Sequence, residues 1–165
     1  MNVSNMEHLK FIDRTINMSL GMMFDNPFEL EEAMLFGVQT FNGEEPLIAP
    51  ITKAGDIYQI LDSITVAREL QPYDQFMFVT TGWAAQVSAD TDLPDELPPS
   101  KRPDAKRVRV LMFIDGGEVL SSVRFSDSDE VMYNEESGEG TLMDAIHSLV
   151  SARNALAQKE RKTND

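Results

Sequence analysis

Lys101, Arg102, Lys106, Arg107 and Arg109 fall within one short run of a chain that has only 14 lysines and arginines against 28 aspartates and glutamates. Guanidinium groups placed so closely suit the capture of a carboxylate or phosphate through paired hydrogen bonds. The same groups can instead pair with Asp90, Asp92, Asp95, Glu96 and Asp104 of the adjoining segment, a common arrangement for surface charge. Upstream stands Thr80-Thr81-Gly82-Trp83, which offers two hydroxyls and the single tryptophan of the chain as an aromatic platform. Lys53, in Thr52-Lys53-Ala54-Gly55-Asp56, occupies the junction of an expected strand and helix, where an anion can rest on backbone N–H groups. The candidate ligand- or partner-binding set is therefore Lys53, Thr80, Thr81, Gly82 and Trp83 together with Lys101, Arg102, Arg107 and Arg109.

Other chemistries have less support. Histidines occur only at 8 and 147, each on an expected helix surface and without a second histidine at ligand spacing. Asp127-Ser128-Asp129-Glu130 lacks the glycine and the terminal glutamate of a calcium loop. No Gly-x-Ser-x-Gly elbow is present, there is no cysteine, and Ser100 is followed directly by Lys101 rather than placed three residues before it. Neither the Walker spacing nor a dinucleotide fingerprint accompanies Lys53, and Asp56 would itself fill the anion position at the helix start. No metal or cofactor is expected. An enzyme reading would have to use Asp56, Thr81 and Arg109 near Trp83, with no nucleophile–base pair to place.

Composition bounds the partners. A net charge of −14 and a pI near 4.4 repel polyanions, so direct binding to nucleic acid or to an anionic membrane is not expected. At 165 residues the chain can bury about 70% of its unfolded surface as one domain. Without cysteine it fits a reducing compartment, and its N-terminus has no basic, apolar leader pattern, so a cytoplasmic protein is expected.

The elements that must position the candidate residues follow from periodicity. Ser4-Asn5-Met6-Glu7 has capping-box spacing, and Met6, Leu9, Ile12, Ile16 and Leu20 trace one helix face, with Gly21 as its stop. Asn26-Pro27 opens a second pattern through Leu30, Ala33, Met34, Gly37, Val38 and Phe41. It reads as a helix over 27–40 with Gly43 as its exit, although Asn42-Gly43 between apolar runs is also a hairpin signal. A short strand over 46–52, edge-placed because Pro50 lacks an N–H, precedes a helix from Asp56 to Leu70 ended by Pro72. The strand 76–81 follows. Strand, helix, strand suggests a right-handed crossover with parallel pairing, which would bring Lys53 and Thr80–Trp83 to the same carboxyl ends.

A proline-rich loop spans 86–106. The strand 107–115 is apolar on both faces after its first turn, as a central strand reads, and Asp115-Gly116-Gly117-Glu118 returns the chain into 119–125. A short edge strand over 131–133, a helix from Thr141 to Leu156 and a charged, frayed tail at 158–165 complete the chain. The expected fold is α+β, a single domain over 1–157 with a mixed sheet of four or five strands and about four helices.

The function expected from these features is non-catalytic binding of a protein or an anionic ligand through the 80–83 and 101–109 surface. A second reading is an acidic inhibitor that imitates DNA, using Asp127–Glu139 and Glu29–Glu32 against a nucleic-acid-binding partner. Ten methionines also raise the prospect of an adaptable apolar contact surface.

Overall fold

The computed structural model describes residues 4–40, 45–84, 106–136 and 141–164, with 83–84, 141 and 160–164 described through their backbone alone. The chain runs α1 (Asn5–Met23), β1 (Ala33–Gln39), β2 (Leu47–Ala54), α2 (Ile57–Leu61), α3 (Ile64–Glu69), β3 (Gln75–Ala84), β4 (Lys106–Asp115), β5 (Glu118–Phe125), β6 (Val131–Glu136) and α4 (Thr141–Asn164). The strands form one six-stranded sheet in the order β2-β1-β3-β4-β5-β6, and every neighbouring pair is antiparallel. The result is an α+β domain. Among the described residues no helix is long and apolar enough to cross a membrane.

Side chains alternate across the sheet and divide the core in two. Leu35, Phe76, Phe78, Met112, Ile114 and Val119 face α2, α3 and α4. On the other side Val38, Met77, Val79, Leu111, Phe113 and Leu120 face α1, the one described helix there. This alternation is the period-2 geometry of a sheet buried on both faces. β4 lies at its centre, as its two apolar faces require, and Pro50 sits in an edge strand, where the missing N–H breaks no ladder. In the β4–β5 hairpin only Gly116, at φ 58°, has positive φ, the φ pattern of a type II′ turn.

Several expectations are corrected. The segment expected as a helix over 27–40 contains β1, because Ala33, Leu35 and Gly37 serve one face while Met34, Phe36 and Val38 serve the other. Its apolar positions fit either period, and pairing with strands on both sides favours the extended form. β1 and β2 are consecutive antiparallel neighbours, and Asn42-Gly43, read both as a helix exit and as a hairpin signal, falls outside the described residues. β1 also inserts between β2 and β3, so these two are not paired and the sheet is antiparallel rather than mixed.

The helix expected over 56–70 breaks in two. Ser63 accepts a hydrogen bond from the Val66 N–H and caps a new start, as Asp56 does for Tyr58. α1 passes Gly21 to Met23, where the Phe24 N–H donates to the Leu20 carbonyl. Its register places His8 on the buried face rather than the surface, with neither ring nitrogen hydrogen-bonded. β6 runs on to Glu136, and α4 extends through Asn164. The 86–105 portion of the expected loop lies outside the described residues.

Gly37 marks a close approach in the centre of β1. A Cβ there would stand 2.5 Å from the Tyr73 ring, so the ring needs the bare backbone. Gly37→Ala is expected to destabilise the domain by about 1–3 kcal/mol through overpacking. Urea denaturation should show this as a lower midpoint at unchanged slope; an unchanged midpoint would contradict the packing of Tyr73 on Gly37.

Candidate functional site

β3 and β4 pair with Thr81 opposite Arg109, Gly82 opposite Val108 and Trp83 opposite Arg107. This register puts Thr81, Arg107 and Arg109 on the α1 side of one end of the sheet. There they meet the connection between α1 and β1. The Thr81 hydroxyl accepts from the Leu30 N–H (3.2 Å) and donates to the Leu30 carbonyl (3.3 Å). Arg107 donates from Nε and Nη2 to the Phe28 carbonyl at 3.1 and 2.9 Å. Arg109 donates to the Pro27 carbonyl (3.3 Å) and to Asn17 Oδ1, and its guanidinium lies 4.9 Å from the centre of the Phe28 ring. Three residues expected to receive a ligand are thus engaged by the chain's own 27–30 segment. Arg109 is only 4% exposed.

The remaining expected residues lie nearby or outside this cluster. Lys53 is at the same end of the sheet, on edge strand β2, 3.7 Å from Glu32. Thr80 pairs with Val110 on the opposite face. Gly82 has nothing within 4 Å of a Cβ built on it, so no close approach there requires glycine. Lys101 and Arg102 fall outside the described residues, and Trp83 is described by its backbone alone. The acidic pairing partners expected at 90–104 also fall outside them. Asp56, considered for an enzyme site, caps α2 by accepting from the Tyr58 N–H at 2.8 Å.

A buried charge cluster adjoins these residues, and sequence reasoning missed it. Arg109 and Arg124 are direct cross-strand partners on the α1 side, an unfavourable like-charge pairing. α1 resolves it by presenting Asp13, 3% exposed, to the sheet. Its carboxylate accepts from Arg124 Nη2 at 2.6 Å, Arg124 Nε at 3.0 Å, the Ser122 hydroxyl at 2.8 Å and the Tyr133 hydroxyl at 3.3 Å. A buried carboxylate is tolerable when charge-assisted donors replace its water in this way. Burial, followed by the Arg124 charge, lowers the Arg109 pKa, and Asp13 partly opposes both. Burial and the Asp13 charge raise that of Tyr133. The sequence signal was Asp13 itself, a charge on the stripe formed by Leu9, Ile12 and Ile16.

An apolar cleft opens on the same face of the sheet, on the other side of α1. A cleft of about 600 Å³ separates the second half of α1 from the β1–β2 flank. Thr15, Ser19 and Met23 form its helical wall, and the low profile of the first two leaves room above Phe36, Ile48 and Pro50. The Thr15 hydroxyl donates to the Phe11 carbonyl, so it presents mainly its methyl group. Met22 and Met23 beside it are 83% and 70% exposed. A second cleft of about 460 Å³ shares Phe24, Met34 and Lys53 with the first and is rimmed by Asp25, Glu29, Glu31 and Glu32.

Among the described residues no group of three or more histidines and carboxylates could hold a metal ion. The acidic stretches 29–32 and 127–130 flank one end of the sheet, near the β2 and β6 edges, with Arg107, Arg109 and Arg124 between them. Compared with known proteins, the chain has no significant match to a family model, a curated protein or a solved structure.

Two outcomes test the charge cluster. Asp13→Asn should cost about 3 kcal/mol, because it leaves two arginines facing each other without the carboxylate. Asp13→Leu combined with Arg124→Met should recover most of that loss in thermal denaturation, since a buried pair can be replaced by apolar packing. If the double variant is no more stable than the single one, the pairing is not the source of the loss. The Tyr133 shift has a definite sign. With its folded pKa above the unfolded value, folded Tyr133 keeps its proton where the unfolded chain has released it. Stability from this group is therefore complete below the unfolded pKa near 10 and falls as pH rises toward the folded value. In an alkaline titration of phenolate absorbance, one of the three tyrosines should titrate late. Tyr133→Phe should remove that late component, and its persistence would reassign the shift.

Proposed function

We propose that this chain is a non-catalytic, cytoplasmic binding protein that holds another protein in the cleft between α1 and the β1–β2 flank. The observation carrying the reading is an open apolar cleft whose lining includes the exposed Met23, next in the helix to the exposed Met22. Methionine side chains adapt to varied apolar surfaces at small conformational cost, and contiguous exposed apolar surface marks interaction sites.

The surface first suggested by the basic run is less suited to this role. Arg107, Arg109 and Thr81 are hydrogen-bonded to the 27–30 backbone, and an incoming anion would have to displace those bonds. The same bonds hold the 27–30 segment beside the acidic cleft. In this reading the arginines build the site's support, and the partner contacts methionine and aliphatic groups.

The test is purification of the tagged chain from its native cells, with Met22→Glu/Met23→Glu run beside it and co-eluting proteins quantified. Both residues are exposed, so each substitution should change stability by no more than about 0.5 kcal/mol. A stoichiometric partner depleted about tenfold or more by the variant, at equal thermal stability, is the expected result. A partner retained in full by the variant would move binding away from the cleft, and the absence of any partner would overturn the binding reading.

A further inference from the structure

We propose that the occupant of the cleft is an amphipathic helix of a partner protein, lying beside α1 across β1 and β2 and directing basic residues to the Asp25, Glu29 and Glu31 rim. This rests on the reading that the cleft is a protein-binding site and adds the shape and charge of what enters it.

The shape follows from unequal cover on the two faces of the sheet. Six strands spaced about 4.8 Å apart make a sheet about 24–29 Å wide, whereas one helix with its side chains covers about 10–12 Å. Among the described residues one face carries α2, α3 and α4, and the other carries only α1, which packs chiefly against β5. Met34, Phe36 and Ile48, on the far side of α1 from β5, are left half-buried. A second helix placed there would complete the layer, and the small Thr15 and Ser19 permit the close interaxial approach that such packing needs. β2 spans eight residues, or about 26 Å, matched by a helix of about 15–18 residues.

A strand is the poorer occupant. Pro50 removes a donor from the exposed edge of β2, and the register shift opposite Leu35 and Phe36 makes Ile51 the extra residue of a bulge. Both features blunt strand addition. Binding over the sheet face, in a helix-in-groove mode, avoids that edge.

The charge follows from the rim. Asp25, Glu29 and Glu31 are exposed in the adjoining smaller cleft, which shares Phe24, Met34 and Lys53 with the apolar one, and Lys53 stands beside Glu32. The whole chain carries −14. A second copy of this chain would bring one acidic rim toward another, whereas a basic helix gains attraction and faster encounter.

The probe is a fluorescein-labelled peptide of about 16 residues with leucines on one helical stripe and lysines flanking it, titrated by anisotropy with the full chain. Two controls accompany it: the same peptide with every lysine replaced by glutamate, and a scramble that keeps composition but destroys the stripe. The lysine peptide should bind, weaken with added salt, and exceed each control by about tenfold or more. Met23→Glu should weaken its binding, and Glu29→Lys/Glu31→Lys should remove the preference for lysine over glutamate. Equal binding of lysine and glutamate peptides, both lost in Met23→Glu, would overturn the basic partner while leaving the cleft reading intact. Equal binding of the scramble would overturn the helical occupant. Failure of all three peptides would overturn this proposal, and the purification with Met22→Glu/Met23→Glu then decides the cleft reading independently. Concentration-dependent self-association abolished by Met23→Glu, seen by sedimentation without any peptide, would assign the cleft to a second copy instead.

Discussion

A single carboxylate governs the side of the sheet on which α1 lies. Asp13 is carried into an apolar layer by helix register, and removing it from water is unfavourable unless donors replace the hydration. Arg124, Ser122 and Tyr133 provide those donors from two adjacent strands, β5 and β6. The benefit is mutual, because Arg124 faces Arg109 across the β4–β5 ladder and the two cations repel. Apolar contacts alone tolerate sliding of a helix along a sheet. A carboxylate that must meet specific donors does not, so Asp13 fixes both the position and the axial register of α1.

With α1 fixed, Asn17, one turn beyond Asp13, reaches Arg109, and Arg109 in turn reaches the Pro27 carbonyl. Arg107 and Thr81 secure Phe28 and Leu30 of the same segment. This connection delivers the chain into β1 and places Glu29–Glu32 beside the β2 edge. The buried polar network, the acidic rim and the apolar cleft are therefore consecutive parts of one assembly. Cations held inside a protein of net negative charge lend their hydrogen bonds to backbone carbonyls that would otherwise be left without donors in a partly dry environment.

The fold consequently presents two chemically different surfaces close together, one methionine-rich and aliphatic, the other carboxylate-lined. The binding role we propose would draw on both, the first for apolar contact area and the second for orientation and discrimination. Thr81, Arg107 and Arg109, expected from sequence to receive a ligand or partner, are hydrogen-bonded to the chain's own 27–30 segment.

Local pattern alone determined much of the architecture. Gly116-Gly117 between two apolar runs specified the β4–β5 hairpin, the two-sided apolarity of 108–114 specified a central strand, and Pro50 specified an edge. Ser4 with Glu7 specified the start of α1. In each case the cause lies within a few residues: a positive φ, a missing N–H, a hydroxyl beside an unpaired donor. Tertiary structure decided the rest. Leu30 to Phe41 suits a helix as readily as a strand, and only the ladders with β2 and β3 choose between them. Insertion of β1 between those strands made the sheet antiparallel, an outcome no local spacing encodes. The fate of Arg107 was settled by a carbonyl 79 positions away, and that of Asp13 by an arginine 111 positions away. A side chain's type states which interactions it can make, but its partner is whatever folding brings within about 3 Å, so charge patterning revealed the donors and acceptors without revealing their pairing.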